Sequence, residues 1–188
     1  MSEFGRRLRK GLRVAAGREG ADARPLSGYL TLAGGYAVTT AAALAVSARG
    51  GTTGQPVATP DLIRIAIATH RLSRTLTKET VTAPLRAPFT RHLGPGSASE
   101  VKEEVVHDPE HRPLSHAVGE LLTCPFCMAQ WTATALVGAH LVVPRQTRIV
   151  TAVLTAVAAA DALHFLYASL ERLEPPAPDE HADQTSTS

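Results

Sequence analysis

Residues 121–144 read LLTCPFCMAQWTATALVGAHLVVP, 24 residues between Glu120 and Arg145 with no formal charge. As a helix rising about 1.5 Å per residue, some 20 of them span the roughly 30 Å hydrocarbon core of a bilayer. The run also holds both cysteines of the chain and its only tryptophan. Pro125 suits the first position of a helix, which makes Cys124 the cap. Cys124 and Cys127 then share one face at the start of a membrane helix predicted over 121–143. Trp131 follows one turn later, at interfacial depth, where an indole is favoured.

The next apolar stretch, 149–170, follows after only Pro144-Arg145-Gln146-Thr147-Arg148. So short a link forces the two helices into an antiparallel hairpin. Upstream, residues 25–48 are again uncharged between Arg24 and Arg49, rich in Ala, Gly and Thr. Their small side chains, Gly28, Gly34 and Gly35 among them, suit close helix packing. The competing reading is a cleaved signal peptide, with Ala45-Val46-Ser47 before the cut. The long basic leader and over-long apolar run argue against it.

Residues 57–76 are harder, because Arg64, His70, Arg71 and Arg74 interrupt an otherwise apolar segment. Each Arg costs about 2.5–3.5 kcal/mol at the bilayer centre on an insertion scale. Charge distribution decides the matter. If 57–76 crosses, 15 Lys/Arg lie on one side and three, Arg49, Arg145 and Arg148, on the other. If it does not, the split is nearly even. The positive-inside rule therefore predicts an all-α integral membrane bundle of four transmembrane helices with both termini cytoplasmic. Arginine outnumbers lysine 16 to 3 and alanine is abundant, which points to a GC-rich bacterial genome and so to the bacterial plasma membrane.

The remaining segments are polar. Residues 1–24 form a basic leader, 78–118 a cytoplasmic loop with a short helix expected near 99–107, and 171–188 an acidic tail read as disordered. Scarce aromatics argue against a nucleic-acid stacking platform, so the expected partners are the lipid bilayer and another membrane protein or a second copy. No nucleophile–base pair, phosphate loop or metalloprotease motif is present, which favours a non-catalytic scaffold or partner-binding protein over an enzyme.

Two constellations carry potential chemistry. The Cys124/Cys127 pair admits a zinc site completed by His107, His111 or His116, a thiol redox couple, or S-acylation. The bland alternative is two small, inert buried side chains. No other cofactor is implied. The second constellation is Asp161, the one acid inside the 149–170 span. An intramembrane carboxylate needs a partner, and helical rise sets it between the levels of Arg64 and Arg71. An ion pair of Asp161 with Arg64 or Arg71 is predicted. A proton relay with His164 is the less favoured use of the same residue.

Arg71 and Arg74, Glu79, then Pro84-Leu85-Arg86, and later Cys124-Pro125-Phe126-Cys127 with Trp131, form a combination of motifs. On these residues the chain resembles the DUF1360 family, small bacterial membrane proteins of unknown function. The resemblance covers roughly residues 60–170, with Glu79 where the family pattern has Asp. It implies a membrane protein with a paired-cysteine element and supplies no activity.

Overall fold

The computed structural model describes residues 26–49, 57–96, 100–106 and 111–173. The basic leader, most of the acidic tail and His107 lie outside the described residues. The long helices are α1 (Leu26–Arg49), α2 (Thr59–Lys78), α5 (Pro125–Val142) and α6 (Pro144–Glu171). Between α2 and α5 come a 3-10 turn (Thr80–Thr82), the single turn α3 (Ala83–Arg86), strands β1 (Thr90–Pro95) and β2 (Val101–Val105), and α4 (Pro113–Thr123). Proline stands in the first turn of α2, α3, α4, α5 and α6. Its fixed φ suits that position, and its missing N–H would have no helical partner there anyway. Pro125 has a second effect. It holds Cys124 in an extended conformation (φ −102°, ψ 104°), so α4 and α5 do not merge but meet at a bend of 86°.

The two strands correct the all-α expectation. Residues 101–105, expected to be helical, pair antiparallel with β1, Thr90 opposite Val105 and Pro95 opposite Val101. The reason is the period of two in Val101-Lys102-Glu103-Glu104-Val105, whose odd positions are half-buried and even ones exposed. A register shift falls between His92 and Gly94, and Gly94 takes φ 130°, a conformation glycine adopts without steric cost. Helix α6 begins at Pro144, so the expected linker 144–148 forms its first turn and Val143 alone joins it to α5.

Helix α2 is the centre of the bundle, packed along both α5 and α6, while α1 leans on α4 and α5. Neighbouring side chains fix the directions. Asp61 meets Arg148, Arg64 meets Thr155 and Arg71 meets Asp161, so α2 and α6 run parallel. Tyr36 meets Thr134 and Ala43 lies against Gly138, so α1 runs parallel to α5. At the α1–α4 crossing a Cβ on Gly28 would stand 2.2 Å from the Pro113 carbonyl oxygen, so no larger residue fits without displacement.

Burial is inverted relative to a water-soluble domain. Among the described residues five apolar side chains are buried against twelve polar or charged ones, and the apolar core is Ile65, Ala68 and Leu136. Leu30, Val38, Leu44, Ile63, Val153, Leu163 and Leu166 face outward. Four interior hydroxyls are satisfied locally, Thr77, Thr132, Thr147 and Thr151 each donating to the carbonyl four residues back, whereas the buried Thr69 hydroxyl has no partner among the described residues. Two helices, α1 and α6, are long and apolar enough to cross a membrane, and the bent pair α4–α5 makes a third if it counts as one span. The expected count of four is thus not reached on apolarity, because α2 holds Asp61, Arg64, Arg71, Arg74 and Lys78 within its 20 residues.

Candidate functional site

The charges of α2 are gathered at its two ends, and each end is a distinct site. At the first turn Asp61 is 5% exposed. Arg148, from the first turn of α6, donates from Nε at 3.1 Å to both carboxylate oxygens and from Nη2 at 2.8 Å to Oδ2. Arg64, one turn along α2, donates to Oδ1 at 3.3 Å. His140 Nε2, from the end of α5, stands 3.7 Å from Oδ2, beyond hydrogen-bond reach. Three helices therefore converge on one carboxylate. Its place at a helix N-terminus, where the backbone dipole favours negative charge, adds to the effect.

Charge position along the sequence left this site unseen. Arg148 enters there only as a topological charge, and Asp61 stands beside Pro60 where the segment begins. The available signal was the tight 144–148 link, which brings Arg148 to the end of the bundle where α2 starts.

At the other end of α2, the Arg, Glu and Pro-Leu-Arg motifs assemble into a network. Arg86 is 0% exposed. Its Nη1 donates to the Leu76 carbonyl at 2.9 Å and to Thr82 Oγ1 at 2.7 Å, and its Nη2 to the Glu79 carbonyl at 3.0 Å. The last carbonyls of a helix have no partner within it, and here the guanidinium of Arg86 supplies donors where α2 ends. Nε of Arg86 donates at 2.5 Å to Glu103 Oε2 on β2, so the hairpin exists beside the helix end as the source of the counter-charge. The short backbone step through Pro84 places Arg86 under that end.

Arg71 donates to Glu79 Oε1 and, at 2.9 Å, to Thr75 Oγ1. Its Nε lies 3.0 Å from Asp161 Oδ2 without hydrogen-bond alignment, an ion pair held by charge alone. Arg64, the other expected partner of Asp161, instead bonds Asp61. Arg74 donates to Glu100 Oε1 at 2.5 Å. A cavity of about 470 Å³ opens between α2 and α6, lined by Arg71, Arg74, Glu79, Asp161, His164 and Arg172 with Phe165 and Ala168.

Cys124 and Cys127 are joined in a disulfide at the start of α5, with Cα atoms 5.3 Å apart. Of the histidines expected to complete a zinc site, His107 lies outside the described residues, and His111 and His116 form no metal-holding group with the cysteines. His116 is buried, its Nδ1 3.4 Å from the Val106 carbonyl and its Nε2 3.5 Å from Glu120 Oε1. His111 is exposed. Among the described residues no group of three or more His, Cys, Asp or Glu could hold a metal ion. Trp131 packs edge-on against Tyr36 of α1 with ring centroids 5.3 Å apart. That ring contact and the Tyr36–Gln130 hydrogen bond tie α1 to α5.

No curated protein and no solved structure matches the chain. The family model described as a protein of unknown function, DUF1360, matches residues 64–167, which span the network, the hairpin, the cysteine pair and most of α6. The chain belongs to the DUF1360 family.

Proposed function

We propose that the protein is a non-catalytic, multi-pass scaffold of the bacterial plasma membrane that crosses the bilayer four times with both termini in the cytoplasm. The inverted burial carries this reading: Leu, Ile, Val and Phe cover the outside while Thr, Ser, Asp, Arg and His fill the seams. In water such a chain would expose its apolar area; in lipid that area is the preferred solvent, and polar contacts join the helices.

Helix α2 is the fourth crossing. It runs beside α5 and α6, and its outward residues Leu62, Ile63, Ala66 and Ile67 are apolar. Its arginines face carboxylates at either end, so the insertion cost is met by pairing. The 15-to-3 distribution of Lys/Arg supports the same topology. The scaffold role rests on where the charges are spent. Asp61 is committed to Arg148, Arg71 to Glu79 and Asp161, and Arg86 to Glu103, and the outer face is left for lipid and for a membrane-protein partner or a second copy.

Reporter fusions at Gly54 and at the C-terminus test the topology: the first should report the outer side and the second the cytoplasm. A C-terminus on the outer side would leave three crossings. Metal content tests the role. Stoichiometric zinc in the purified protein, lost in a Cys124→Ser/Cys127→Ser variant, would replace the scaffold reading with a metal-dependent one.

A further inference from the structure

The cysteine pair is not used by the scaffold reading, and its geometry differs from that of an inert core pair. Cys127 is exposed while Cys124 is half-buried, so the two sulfurs of one bond are unequally accessible. Cys124 is the cap residue of α5, and its Sγ accepts the Cys127 backbone N–H at 3.2 Å. Negative charge on Cys124 is therefore held by an amide donor and by the helix end. Pro125, with no N–H of its own, offers that sulfur no second donor. Between the sulfurs Phe126 is 89% exposed, an apolar contact for whatever approaches.

We propose that Cys124–Cys127 is a thiol–disulfide exchange site that accepts two electrons from a protein dithiol at the membrane surface. The incoming thiolate attacks Sγ of Cys127, the accessible sulfur. The Cys124–Cys127 bond breaks, and Cys124 departs as the thiolate that the helix end stabilises. A mixed disulfide now joins the partner to Cys127. The partner's second thiolate attacks the partner sulfur of that bond, forming the partner disulfide and releasing Cys127 as a thiolate. The partner is oxidised by two electrons, the cysteine pair is reduced by two, and the two protons of the partner thiols end on Cys124 and Cys127. On a cytoplasmic face, where structural disulfides are rare, a transient exchanging bond is the expected kind.

The experiment uses the full chain in nanodiscs, with glutathione as the probe. Equilibration in buffers of reduced and oxidised glutathione, then acid quench, alkylation and intact mass, should interconvert species with zero and two free thiols. Early in reduction, peptide mapping of the wild-type intermediate should find glutathione on Cys127. Cys124→Ser should retain that adduct under oxidised glutathione, and Cys127→Ser should form at least ~10-fold less of its own. A bond that reduced glutathione leaves closed, or glutathione mapping to Cys124, would overturn the proposal. The wild-type mapping decides the question even if a single-cysteine variant fails to fold.

Discussion

The two ends of α2 neutralise charge in opposite ways. At Asp61 one buried carboxylate is surrounded by cations from α2 and α6, and those cations reach outward: the side chains of Arg64 and Arg148 are 49% and 53% exposed. At Arg86 the burial is reversed. The cation is fully enclosed, its carboxylate partner Glu103 is 7% exposed, and its other partners are the Thr82 hydroxyl and two backbone carbonyls that cannot move away. The first arrangement can relax by swinging a long arginine into solvent or headgroups. The second has no such escape. Equal charges at the two ends of one helix should therefore matter unequally.

The largest effect is expected for Arg86→Met. It leaves Glu103 buried without its cation and takes the guanidinium donors from the Leu76 and Glu79 carbonyls, a loss of about 3–5 kcal/mol on the scale of broken buried pairs. Thermal unfolding in detergent, followed by circular dichroism, should show a large drop in Tm and the early loss of the β1–β2 hairpin. A Tm like that of the parent would break the comparison outright.

Asp61→Asn should lower Tm by less, because Arg148 can turn outward once its carboxylate is gone, and Arg148→Gln should lower it by a similar amount. Should either variant prove worse than Arg86→Met, the relaxation argument fails and the three-helix convergence at Asp61 becomes the stronger clasp.

The pair between Arg71 and Asp161 lies between these extremes, since Asp161 is 42% exposed and Arg71 14%. A double-mutant cycle of Asp161→Asn and Arg71→Gln should give a coupling of about 0.5–1 kcal/mol, with the double variant recovering part of each single loss. Zero coupling would mean that Arg71 is held by Glu79 and Thr75 without Asp161.

Smallest of all is Arg64→Gln. Arg64 is half-exposed and holds Asp61 at 3.3 Å while Arg148 holds it more closely, so the change should stay within about 0.5 kcal/mol. Any larger loss in unfolding experiments would identify Arg64 as a principal partner of Asp61.

Much of the bundle is legible in the residues themselves. Uncharged runs of 24 residues announce α1 and α5, and proline marks where five helices open. The short link after α5 dictates an antiparallel hairpin. Helical rise alone sets Asp161 between the levels of Arg64 and Arg71, and Arg71 is the residue found beside it. The zinc ligands show the limit of such reading. Cys124, Cys127, His111 and His116 lie within 17 positions of one another in the chain, yet His116 turns toward Val106 and Glu120. Proximity along the chain did not become a metal-holding group among the described residues.

What the sequence by itself determined is the four long helices and the apolar runs that fill three of them, since these follow from local propensity and from the length of each uncharged stretch. Which charge meets which was decided only in three dimensions. Asp61 with Arg148 and Arg86 with Glu103 join residues 87 and 17 positions apart. Neither pairing has a local signature, because it depends on helix rotation and on a hairpin folding back over the end of α2. The strands β1 and β2 belong to the same class. Their period of two was present in the residues, but a five-residue strand is stable only when a partner strand and a helix cover it.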